Sequence, residues 1–149
     1  MSGIKLKHDG WLVIADGEKA LFLRNEGDEV YPNLEVFREL EHANPPDREQ
    51  SADKPGRLSN GGNGTHRSSV QETDWHRVEK QRFAKEVADR LHKRALNGRF
   101  SQLVVVAPPT VLGDMRKEWN KTVRERIVAE VAKDLTHHPV HEIEKLVLN

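Results

Sequence analysis

Apolar positions open this chain in short runs, thin out through its middle, and return with a helical period. Trp11-Leu-Val-Ile-Ala15 is an unbroken apolar run stopped by Asp16-Gly17, and a second run, Ala20-Leu-Phe-Leu23, follows at once. Two apolar runs joined through Asp-Gly predict a β-hairpin. Arg24-Asn-Glu-Gly-Asp28 closes the second strand. From Leu34 to Leu40 the pattern alternates, with Leu34, Val36, Arg38 and Leu40 on one face and Glu35, Phe37 and Glu39 on the other. That predicts a third strand and an antiparallel meander.

From about Ala43 to Thr73 the composition changes. Asn44-Pro-Pro-Asp47, Lys54-Pro-Gly56 and the run Ser59-Asn-Gly-Gly-Asn-Gly-Thr-His-Arg-Ser-Ser69 carry almost no large apolar side chain, Leu58 and Val70 excepted. Such a stretch cannot repay its ordering entropy by burial, so residues 43–73 are predicted to form a flexible loop. Loops of this length are uncommon in compact domains and often functional; a tolerated surface insertion is the other reading. Asp74 then stands as an N-cap candidate for a long helix. Trp75, Val78, Ala84, Val87, Ala88, Leu91 and Ala95 recur at spacings of three and four, and Asn97-Gly98 supplies a stop. Its other face carries Arg77, Lys80, Arg82, Lys85, Arg90 and Lys93.

Gln102-Leu-Val-Val-Val-Ala107 reads as a strand buried on both faces, ended by Pro108-Pro109. Val111, Leu112, Met115 and Trp119 predict a helix over Thr110–Trp119, and a last short helix is predicted over about Val140–Leu148. The segment Arg126–Leu135 stays open, because its spacing is helical while Ile127-Val128 is β-branched. The order of elements predicts an α/β fold with a mixed sheet, one domain over residues 1–149.

Composition changes this picture in three ways. Apolar residues make up 36% and charged residues 32% of 149, polar enough to imply that one segment adds nothing to the core. There is no cysteine, which excludes disulfides and thiol nucleophiles and fits a reducing cytoplasm. The zero net charge conceals an uneven distribution: residues 1–50 hold 6 Lys/Arg against 11 Asp/Glu, while residues 74–99 hold 8 against 4. Overall neutrality argues against a bulk nucleic-acid coat protein, yet a local basic helix suits RNA docking. No leader peptide is expected at the N-terminus, and no apolar run approaches the ~20 residues of a membrane helix.

Candidate chemistry is sparse. Asp16 ends the first strand, with Asp114 and Asp134 as the carboxylates that could join it around a divalent cation. A hairpin turn explains Asp16-Gly17 as well. His137, His138 and His141 could ligate zinc, but Pro139 interrupts the helix that would align them. Gly61-Gly62-Asn63-Gly64 lacks the Lys-Ser/Thr of a phosphate-binding loop, and there is no Gly-x-Ser-x-Gly elbow. His66 and Arg67 beside that run could contact phosphate.

Five strings coincide in order and spacing: Lys54-Pro-Gly-Arg57, Phe83-Ala-Lys-Glu-Val-Ala88, Leu103-Val-Val-Val-Ala-Pro-Pro109, Leu112-Gly113 and Lys133-Asp-Leu-Thr-His-His-Pro139. With them the chain resembles, from about Gly10 onward, the bacterial host-attachment protein family, which is grouped with bacterial relatives of the archaeo-eukaryotic release factors. The wider likeness is to the central domain of those factors and of Pelota-like rescue factors. It implies a five-stranded mixed sheet flanked by helices, ribonuclease-H-like, with Arg126–Ala132 as the fifth strand. In release factors the loop before the long helix carries Gly-Gly-Gln, whose glutamine promotes peptidyl-tRNA hydrolysis. Here the third position is Asn63, one methylene short, and Gln71 is out of register. The resemblance therefore implies a cytoplasmic, ribosome- or structured-RNA-binding module more than an esterase. Arg57, Gly61, Gly62, Asn63, Gly64, His66, Arg67, Arg77, Lys80 and Lys85 would be its contact residues. No cofactor, metal or membrane is implied. The alternatives are an enzyme, either a peptidyl-tRNA esterase or a metal-dependent nuclease using Asp16, and a protein-binding adaptor whose effect on attachment is indirect.

Overall fold

A computed structural model describes residues 3–42 and 68–148. Strands β1 (Trp11–Ala15), β2 (Lys19–Asn25) and β3 (Leu34–Glu41) open the chain. Helix α1 (Ser68–Leu96) leads to β4 (Leu103–Val106), α2 (Pro109–Glu118), the single turn α3 (Lys121–Arg124), β5 (Ile127–Val131) and α4 (Val140–Val147). The five strands form one mixed sheet in the order β3-β2-β1-β4-β5. β1 pairs antiparallel with β2 and parallel with β4, β2 pairs antiparallel with β3, and β4 pairs parallel with β5. So β1, β3, β4 and β5 point one way, and only β2 runs against them.

The central strands are apolar throughout because both sheet faces are covered. On one face Trp11, Val13, Phe22, Leu103 and Val105 meet Phe83, Val87, Leu91 and Met115 of α1 and α2. On the other, Leu12, Ile14, Leu23, Val104 and Val106 meet Ile143 and Val147 of α4. Each fully buried Phe or Leu among them contributes about 1.5–3 kcal/mol of transfer free energy.

Two expectations are corrected in detail. Helix α1 begins at Ser68, so Asp74 lies inside it rather than at its N-cap, and Ser68–Thr73 leave the predicted loop. Gln71 and Glu72 are good helix formers, and a helix satisfies its own backbone, so it extends without an apolar stripe. In β3 the even-numbered residues do not share a face. Phe22 pairs with Arg38 while Leu23 pairs with Val36, which makes Phe37 an extra residue and turns the two halves of the strand over. Leu34 packs under α4, whereas Leu40 packs towards α1. Arg126–Leu135, left open by periodicity, contains β5, the fifth strand that the resemblance implied over Arg126–Ala132. As an edge strand it is only partly buried, which dilutes its period-two signal. The helical turn α3, capped by Asn120, carries too short an apolar pattern to be predicted.

Candidate nucleic-acid interface

Because four strands run in parallel, their carboxyl ends gather on one side of the sheet, the side where open α/β sheets bind ligands. The β1–β2 turn is there, with the start of α2 after β4 and the segment Asp134–Thr136 after β5. His42, where the chain leaves β3, is there too: its backbone N–H donates to the carbonyl of Glu18 at 2.8 Å. Past the undescribed residues 43–67, α1 crosses the same turn.

The turn is held by Asp16. Its Oδ1 accepts the backbone N–H groups of Glu18 and Lys19, both at 2.8 Å. This is the local bonding that suits Asp to turns. Its Oδ2 accepts the Thr136 hydroxyl at 3.1 Å, and Asp134 Oδ1 lies 3.1 Å from the same oxygen. A hydroxyl has one proton to donate, so Thr136 serves one carboxylate at a time while spacing both. Asp16 and Asp134 thus converge, through a residue that sequence reasoning did not single out. The only signal for Thr136 was its place in the Asp-Leu-Thr string.

Asp114 is elsewhere. It is buried in α2, and the Arg77 guanidinium grips it with Nη1 on Oδ2 at 2.7 Å and Nη2 on Oδ1 at 2.8 Å. That hydrogen bonding raises the guanidinium above its ordinary value. Arg77, expected at phosphates, is therefore already occupied as a brace between α1 and α2. Among the described residues no group of three or more His, Asp or Glu side chains is placed to hold a metal ion, His137, His138 and His141 included.

Lys80 is placed differently. Its aliphatic stem lies over Gly17, where an added Cβ would come within 2.8–2.9 Å of Cγ, Cδ and Cε. The lack of a side chain at Gly17 is what lets the helix sit this close to the turn. Among the described residues Lys80 has no ion-pair partner. It lines a cavity of about 130 Å³ with Gly17, Glu18, His42, Trp75, His76 and Glu79. Trp75 remains 38% exposed and meets His76 edge to face, 5.2 Å between centroids. The apolar stripe predicted to begin at Trp75 is buried only from Phe83 on. Glu79 receives His42 Nε2 at 2.7 Å and Arg82 at 2.9 Å, so it fastens the departing chain to the helix. Lys85 stands further along, exposed and loosely paired with Asp89 at 3.6 Å. Arg57, Gly61, Gly62, Asn63, Gly64, His66 and Arg67 lie outside the described residues.

This end of the molecule therefore carries an aromatic ring pair and an ammonium with no ion-pair partner among the described residues, beside the point where the chain departs. Aromatic faces stack on bases and cations meet phosphates, so the patch suits single-stranded or looped RNA.

Two comparisons with known proteins bear on the chain's family. An uncharacterized protein of Rickettsia prowazekii (strain Madrid E) is 31% identical over 72 residues, a match spanning 47% of this chain and 48% of that protein. The family model described as bacterial archaeo-eukaryotic release factor family 12 matches residues 9–147, nearly the whole chain. The chain belongs to bacterial archaeo-eukaryotic release factor family 12.

Proposed function

We propose that this protein is a ribosome- or structured-RNA-associated module that presents the segment around Gly61-Gly62-Asn63-Gly64 to RNA. The observation that carries this reading is positional. In a chain of a release-factor family, the segment holding the Gly-rich run follows His42, which lines one cavity with Trp75, His76 and Lys80, and precedes α1, which starts at Ser68. Lys80 and Lys85 would meet phosphates, with Arg57, His66 and Arg67 adding charge from the segment before α1, while Arg77 holds α1 in place. Asn63 offers the same amide as glutamine on a shorter stem, which favours contact over ester hydrolysis. Such a protein acts in the cytoplasm, where ribosomes are. The likeness to host-attachment proteins then describes an indirect effect, through altered synthesis of the true surface proteins.

The test is sedimentation of the tagged protein through sucrose gradients from cell lysate, at low and high salt. The expected result is comigration with ribosomes that high salt abolishes. It should also be lost on changing Arg57, His66 and Arg67 together to Ala. Protein that stays at the top of the gradient at both salt concentrations, in stalled-ribosome lysates too, refutes the reading. RNase-insensitive capture of another protein would then favour the adaptor.

A further inference from the structure

A second cationic cluster lies away from that turn, where the later part of α1 passes the edge strand β3. Arg90 and Arg94 are one helical turn apart on α1. Arg38 pairs with Phe22, which places it on the sheet face that α1 covers. Burial, and then the charges of Arg38 and Arg94, hold the Arg90 guanidinium below its ordinary value. Its Nε is buried and has no hydrogen-bond partner among the described residues. A cavity of about 350 Å³ opens here, lined by Glu86, Asp89, Arg90, Lys93 and Arg94.

Three other cations of the helix are paired, Lys80 being the exception among the described residues. Arg77, Arg82 and Lys85 each have a carboxylate within 4 Å, whereas Arg38, Arg90, Lys93 and Arg94 have none among the described residues. The two carboxylates that line the cavity face other partners: Glu86 lies 3.6 Å from His42 Nδ1, and Asp89 pairs with Lys85. Like charges drawn together and partly dehydrated cost free energy unless an anion joins them. Two guanidinium forks one helical turn apart, with an ammonium beside them, suit an acceptor with several oxygens out of one plane and more than one negative charge. A phosphate has both properties; a carboxylate, with two coplanar oxygens, saturates a single fork.

We propose that Arg90 and Arg94, with Lys93 at the rim, form a phosphate-binding site. The phosphate belongs either to an RNA backbone or to a free phosphate species. The site stands on its own geometry and does not require the ribosome reading.

The probe is pyrophosphate, titrated into the intact protein at constant ionic strength and followed by NMR at the Arg Nε–Hε signals. A saturable shift at Arg90 is expected, with acetate producing none. Arg90→Lys, which keeps the charge and loses the fork, should weaken binding about tenfold, the weight of one charge-assisted hydrogen bond. Lys93→Gln, an exposed position that does not threaten folding, should weaken it less. A short oligouridylate that displaces pyrophosphate assigns the phosphate to an RNA backbone; one that binds without displacing it, or fails to bind, assigns it to a free species. No shift at Arg90 up to millimolar pyrophosphate, or equal shifts with acetate, overturns the site. Since ribosomes are absent from this assay, the site and the ribosome reading can fail separately.

Discussion

The Arg77–Asp114 pair joins α1 to α2, and its energetics follow from an asymmetry. The Asp114 side chain is 3% exposed and the Arg77 side chain 40%. Removing one member of a fully buried pair costs about 3–5 kcal/mol, and exposed pairs are worth about 0–1 kcal/mol. A pair open on the guanidinium side falls between, near 2 kcal/mol for Arg77→Met, which keeps the packed stem and strands a buried carboxylate. Asp114→Asn strands only a half-exposed cation that water can reach, and should cost about 1 kcal/mol. In urea denaturation followed by far-UV circular dichroism, Arg77→Met should be the more damaging variant. Its melting temperature should fall by about 4–8 °C. The double variant should cost no more than Arg77→Met alone, a coupling of about 1 kcal/mol. Where the single variant is still folded, RNA binding should be little changed, because this guanidinium is already occupied. A coupling within about 0.3 kcal/mol of zero refutes the brace, as does Asp114→Asn proving the costlier change.

Three more outcomes follow from the same geometry. Asn25 is fully buried, accepts from the backbone N–H groups of Gly27 and Asn33 at 2.9 Å, and donates to the carbonyl of Leu6 at 2.8 Å. Asn25→Ala orphans those groups and should cost about 3 kcal/mol in chemical denaturation; a loss under about 1 kcal/mol contradicts the network. Thr136→Val leaves Asp16 and Asp134 facing each other without a donor between them, and should cost about 1 kcal/mol and make stability rise with added salt. A salt-independent variant would show that the carboxylates do not converge. His8 is raised above 6.5 by its hydrogen bond to the Gly27 carbonyl and by the neighbouring charge of Asp9. The contact therefore helps the folded state fully below about pH 6.5, and its help fades as pH climbs through the raised value. An NMR titration of His8 with a midpoint at or below 6.5 contradicts it.

What could be read from the sequence was what burial writes into local pattern. β1 and β4 are buried on both faces, so their apolar runs mark them almost to the residue. The bulge at Phe37 was invisible, since it depends on how β3 meets β2 and not on β3 itself. The start of α1 was hidden because Ser68-Ser-Val-Gln-Glu-Thr73 carries no apolar residue at helical spacing besides Val70. At the interface, Asp16 and Lys80 were named from their positions in the chain. The hydroxyl that bonds Asp16 was not, because Thr136 is 120 residues away and only the fold brings them together. Likewise Arg77 looked like one more exposed cation until Asp114, 37 residues on, came within reach. That the charge of Arg38 bears on Arg90 depends on where β3 lies beside α1, which no local pattern writes.

The most direct measurement is equilibrium binding of the purified protein to purified ribosomes across a salt series, for the wild type and for Lys80→Gln/Lys85→Gln. Affinity should fall steeply with salt, and the slope of log K against log [salt] should shrink by roughly 1.5 in the variant, about 0.7–0.9 for each phosphate no longer neutralised. Binding whose salt dependence is the same in both proteins, or no binding at low salt, would contradict the proposed function.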